Sequence, residues 1–192
     1  METTMTDQDA GVLLGILATF GLVILIIILV LYLIDAIARF KYLKIRNYPK
    51  AWLAFIPAFN IFACIEATYG NVETVKLFSF DVPLTAFKLY PIILSVISGL
   101  AGRIEAIRTP VTSVVGILTV AFGVIVLRDM LSRLDKNVSV GFSVLANIIT
   151  IVGSITLLSA CKNFAPGQLD YTTDTRPLPS QDTPDNPVPP QQ

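Results

Sequence analysis

The chain has 192 residues, 54% of them hydrophobic and only 15% charged, with a mean hydropathy of +0.70. Soluble domains carry about 25% charged residues, and here the deficit is concentrated in long apolar blocks, the pattern of a membrane protein. The net charge is zero and no basic stripe suits a nucleic acid; histidine is absent and Cys64 and Cys161 lack metal-ligand spacing, which argues against a zinc site.

Residues 1–10 are polar and acidic, with Glu2, Asp7 and Asp9 and no cation. Residues 11–34 form an almost unbroken apolar run of 24 residues. As a helix it reaches about 36 Å, more than a hydrocarbon core of about 30 Å. A cleaved signal peptide needs a basic start and a shorter apolar core, so a retained transmembrane helix is predicted. Arg39, Lys41, Lys44, Arg46 and Lys50 follow, interleaved with Phe40, Tyr42 and Tyr48. Rings and cationic stems both favour the headgroup region. This predicts a cytoplasmic loop, an outside N-terminus, and these five cations as contacts for anionic lipid.

A second helix is expected over 51–70, kinked by Pro57. Asn60 falls near its middle, where an amide needs a partner, and Glu66 near its outer end, where a carboxylate is a candidate site. A polar loop over 71–83 leads to a third, weaker helix over 84–102, with Lys88 one turn in and Pro91 after it. Antiparallel neighbours place Lys88 beside Glu66, which lowers the cost of both charges. The fourth helix, 111–130, carries Gly116 and Gly123, small residues suited to close helix packing. A charged connector precedes the fifth, 142–164, with Asn147 in its early turns. Seven of the last 28 residues are proline, and 165–192 is expected to be a disordered tail. The fold class that emerges is all-α: a polytopic transmembrane bundle of about five hydrophobic helices over 11–164.

The charge map conflicts with five straight spans. They place Arg128, Arg133 and Lys136 outside, against the positive-inside rule. The conflict eases if one middle segment does not cross. The segment with Pro57 and Asn60 is one candidate, as a re-entrant piece buried by protein; the short apolar stretch after Leu84 is the other.

No Walker, dinucleotide or zinc-protease motif is present. Lys88 and Ser95 lie about 10 Å apart along a helix, too far for a serine–lysine pair. Asp35 and Glu66 fall near opposite faces in the five-span reading, so they make no acid/base pair. No enzyme activity, cofactor or metal is implied.

Residues 47–60, NYPKAWLAFIPAFN, resemble a W-x-x-x-I-P-x-x-N block of small multi-pass bacterial membrane proteins of unknown function, frequent in Gram-positive genomes. Trp52, Ile56, Pro57 and Asn60 are the matching positions; Phe62 fits the aromatic that comes after. Residues 134–142, LDKNVSVGF, are similar to that family's F-G-K-x-x-G-F turn, with Leu134 and Asp135 replacing Phe and Gly. The resemblance implies that both blocks lie near the cytoplasm, which favours four spans plus one re-entrant or interfacial piece. It carries no known chemistry; some members are labelled signal-peptidase-like, a reading these residues do not support.

The expected function is thus a non-enzymatic integral protein of the cell membrane: a scaffold, an accessory subunit, or an envelope or immunity factor. The alternative is a small transporter or channel component using the Pro57/Asn60 break and Glu66. Expected partners are the lipid bilayer and either further copies of the chain or another membrane protein, with no nucleic acid.

Overall fold

The computed structural model describes residues 7–70, 72–77, 80–174, 176, 178 and 179, with side chains from residue 15 onward, residue 77 apart. The first helix, α1, spans Asp7–Ile45 and is about 58 Å long. Every side chain from Gly15 to Leu31 is exposed. Burial begins below Tyr32, where Ala36 and Ala38 are fully covered. α1 ends in a Schellman turn: Tyr48 N–H donates to the Leu43 carbonyl at 2.9 Å, and Asn47 takes the left-handed conformation at φ 56°.

The chain then doubles back. A 3-10 turn, Ala51–Phe55, climbs beside α1 until the Tyr32 hydroxyl donates to the Phe55 carbonyl at 2.7 Å. That contact lies about 20 Å along α1 from its end. Ile56 is extended, at φ −108° and ψ 119°, as a residue before proline must be. Ala58 comes next at φ 65° and reverses the chain. α2, Phe59–Tyr69, returns to the starting end, where the Tyr42 hydroxyl meets Thr68 Oγ1 at 2.7 Å. Two short strands, β1 (Thr74–Leu77) and β2 (Phe80–Pro83), pair antiparallel there, with Lys76 opposite Asp81.

α3, Leu84–Ala101, and α4, Glu105–Ser132, form an antiparallel pair. Tyr90 and Phe122 stack with ring centroids 4.7 Å apart, and Phe87 joins them. α4 also ends in a Schellman turn: Lys136 N–H donates to the Leu131 carbonyl at 2.9 Å, with Asp135 at φ 53°. α5, Val140–Ile148, and α6, Thr150–Ala160, are bent by 118° at Ile149. Gly153 makes the bend possible, because a Cβ there would lie 2.7 Å from the Ala146 carbonyl oxygen. α6 packs along α1 and returns, through a 3-10 turn at Cys161–Asn163, to the end where α1 stops.

Three helices, α1, α3 and α4, are long and apolar enough to cross a membrane; counting α5 and α6 as one bent span gives four. Five straight spans are therefore not the architecture. The expected helices over 51–70 and 142–164 are each broken and folded back, one by Ile56–Pro57–Ala58 and the other at Ile149. The fold is also not purely α, since the 71–83 loop carries the β1–β2 pair. Both hairpins open toward the same end, together with the 133–139 connector. Of the fourteen Lys and Arg residues, only Arg103 and Arg108 lie at the opposite end, by the α3–α4 turn.

The tail departs from expectation too. Residues 165–174 form a strap across the end of α1: Gly167, Leu169 and Tyr171 donate their N–H groups to the Lys44, Ile45 and Arg46 carbonyls at 2.8, 3.0 and 3.1 Å. These are carbonyls a helix end leaves without partners. Leu178 is fully buried. The part of the expected disordered tail beyond 179 lies outside the described residues.

Candidate functional site

Residues of α1, α4, α5 and α6, with Ile61 of α2 and Tyr90 of α3, line a cavity of about 240 Å³. Its charged members are Asp35 and Arg39, one helical turn apart on α1. Arg39 Nε donates to Asp35 Oδ2 at 2.7 Å, and Ser154 Oγ, from α6, donates to Asp35 Oδ1 at 2.9 Å. Asp35 lies about 16 Å along α1 from Arg46. A lone ion at such depth costs about 2.5–3.5 kcal/mol on insertion scales, and the i,i+4 pair offsets part of that. Tyr90, Thr119, Asn147 and Thr150 supply further polar groups to the wall. Asn147 fits because Gly123 leaves room: any Cβ at Gly123 would collide with the Asn147 amide.

A second cavity of about 560 Å³ adjoins the first, sharing Ile61, Tyr90 and Thr119 with it. Ser95, Ser98, Gly99 and Val115 extend it toward the α3–α4 turn. The Tyr90 side chain thus forms part of the wall of both cavities.

A second polar cluster closes the opposite end. Arg46 and Arg133 are 0% and 3% exposed. Both guanidiniums bind the Asp174 carboxylate, Arg46 through Nη1 to Oδ2 and Arg133 through Nη1 to Oδ1 at 3.1 Å. Arg176 adds a bond from Nε to Oδ1 at 2.9 Å. Arg46 Nε and Arg133 Nε cap the end of α2, donating to the Ala67 and Thr68 carbonyls at 3.0 and 3.2 Å. Burial pushes the Asp174 carboxyl up, but the hydrogen bonds from Arg176 and Arg46 and the Arg133 and Arg46 charges outweigh it. The group is held well below the usual carboxylate range. Beside it, Tyr69 donates its hydroxyl to Asp129 Oδ2.

The residues singled out in the sequence are spread over the molecule. Lys88 Nζ lies 3.2 Å from Glu66 Oε1, the contact the antiparallel order implies. The pair sits at the basic end, however, and not at the outer end expected for Glu66. Tyr48 donates its hydroxyl to Glu66 Oε2 at 2.8 Å; burial first, and that bond second, push the Tyr48 phenol up. Asn60 is buried, and its Oδ1 accepts from the Ile61 N–H at the start of its own helix. Only Asn147 of the four lines the polar cavity. Among the five lipid-contact candidates, Arg46 is buried in the Asp174 cluster and Arg39 is half-buried and paired with Asp35. Lys44 and Lys50 are exposed and Lys41 is half-buried.

Asp35 and Ser154 were not among the expected site residues. The i,i+4 spacing of Asp35 and Arg39 was the available signal; nothing local marks Ser154 as their partner. Both cysteines are buried and free. No group of three metal-ligating side chains occurs among the described residues. No family model, curated protein or solved structure matches the chain.

Proposed function

We propose that this chain is a multi-pass protein of the cell membrane that binds and passes a small polar solute or ion, without catalysing a reaction. The observation that carries this reading is the Asp35–Arg39–Ser154 cluster lining a polar cavity between α1, α4, α5 and α6. Ionised side chains at depth mark solute pathways, and broken helices are how transporters bring polar groups to such a site. The site differs from the Pro57/Asn60/Glu66 one suggested by the sequence. The Pro57 break turns the chain, and Glu66 is paired at the mouth.

The orientation follows from charge. With α1, α3 and α4 as spans and both hairpins re-entrant from the cytoplasmic face, the N-terminus is outside and all cations but Arg103 and Arg108 are on or toward the cytoplasm. That arrangement removes the conflict at Arg128, Arg133 and Lys136. It also agrees with the resemblance to small bacterial membrane proteins, whose two blocks fall on the first hairpin and on the 134–142 turn. Asp135 takes the left-handed position that the family's glycine suits.

A scaffold or accessory role is the second reading, favoured by the exposed face of α1 from Gly15 to Leu31. The full chain in vesicles separates the two. Stopped-flow swelling with glycerol and urea, and fluxes of H⁺, Na⁺ and K⁺, are measured against empty vesicles. On the solute reading at least one flux rises, and Asp35→Asn and Ser154→Ala each lower it at unchanged protein content. Flux at the empty-vesicle level for the whole set, or flux indifferent to both substitutions, leaves the scaffold reading.

A further inference from the structure

A different surface carries a second site. Along α4, from Thr112 to Arg128, runs a groove of about 790 Å³, floored by Gly116, Val120 and Val124 and walled by Val140 and Val144 of α5. It extends about 24 Å, more than one leaflet of a core about 30 Å thick. Its floor is apolar along this length. At the basic end the character changes: Lys76, from the β1–β2 hairpin, and Arg128 line the mouth.

We propose that this groove binds one anionic phospholipid, its acyl chain along α4 and its phosphate between Arg128 and Lys76. Both cations are half-buried, and neither belongs to an ion pair among the described residues. Asp129 lines the same groove but is fully buried and accepts the Tyr69 hydroxyl, and Asp81 stands across the hairpin from Lys76 without an ion pair. A half-buried cation at the end of an apolar trough calls for an anion that brings its own hydrocarbon. A second copy of this chain is a poorer occupant. It would bring its own basic end against Lys76 and Arg128 in a two-fold arrangement, and like charges would repel.

The test uses the full chain in nanodiscs of phosphatidylethanolamine with a titrated fraction of phosphatidylglycerol, read by native mass spectrometry after release into mild detergent. One phosphatidylglycerol is expected to stay on the protein. Each cation near an anionic headgroup contributes a factor of about five, so the double variant Lys76→Gln/Arg128→Gln is expected to lose roughly thirtyfold in apparent affinity. Val120→Trp fills the trough without altering charge and is expected to lower retention as well. Lys162→Gln, on an exposed cation elsewhere at the same end, is expected to leave it unchanged. Variants are compared at equal elution volume and melting temperature. The proposal is overturned by retention that ignores both groove variants, by an equal loss in Lys162→Gln, or by a lipid-free dimer that Val120→Trp breaks.

Discussion

Replacing Asp174 by Asn should release the C-terminal strap while leaving the bundle folded. The substitution keeps the shape and removes the one carboxylate shared by Arg46, Arg133 and Arg176. Removing one partner of a buried ion pair costs about 3–5 kcal/mol, because the remaining charge is left uncompensated. That cost has a ceiling, since the chain can avoid it by undocking the strap. The strap is held by three backbone hydrogen bonds, worth about 1 kcal/mol each, and by the buried Leu178, worth about 2 kcal/mol. Loss and ceiling are thus of similar size, and about 3 kcal/mol of docking free energy should disappear. Amide hydrogen exchange in detergent micelles reads it directly. Exchange at Gly167, Leu169 and Tyr171 should accelerate about a hundredfold, while amides of α3 and α4 keep their protection. Protection at the three strap amides within threefold of the parent would refute the argument. The pH dependence has a definite sign. A carboxyl whose folded value is depressed contributes stability above its unfolded value, near 3.9, and loses it as pH falls through the folded value. Docking should therefore be flat across neutral pH and weaken only on strong acidification, and Asp174→Asn should abolish that acid limb.

Ala58→Gly should raise the melting temperature, because φ 65° strains a residue with a Cβ and relief is worth about 1 kcal/mol; a lower value would count against the first reversal. Gly153→Ala should destabilise by about 1–3 kcal/mol through overpacking against the Ala146 carbonyl, seen as an earlier thermal transition, whereas Gly116→Ala, with open space around it, should not. Glu66→Cys with Lys88→Cys should cross-link with a short reagent, and failure across several lengths would contradict the 3.2 Å ion pair. Reporter fusions after residues 76, 138 and 175 should all report the cytoplasm and a fusion after 106 the outside; any other pattern rejects the re-entrant hairpins.

Much of the site was within reach of the sequence in type but not in place. An amide and two opposite charges in apolar segments were visible as Asn60, Glu66 and Lys88, and pairing of the last two follows from chain order alone. Their depth does not. It depends on whether 51–70 crosses or returns, and a proline breaks a helix without fixing the direction of the next segment. Arg46 shows the same limit from the other side. In a run of five cations it looks like one more headgroup contact, and only the approach of α2, Arg133 and Asp174 makes it a buried member of a network.

By itself the sequence determined the character of the long helices: runs such as 11–34 are long and apolar enough to cross a membrane. It also marked the first break, since a helix does not run straight through Ile56–Pro57, but it expected one continuous helix over 142–164 where the chain bends at Ile149. The tertiary structure decided where each broken segment goes, and so which polar groups meet. Asp35 and Ser154 are 119 positions apart, Arg46 and Asp174 are 128 apart. Hydropathy is a sum over neighbours along the chain, whereas a buried charge is stabilised by neighbours in space, and nothing local records those.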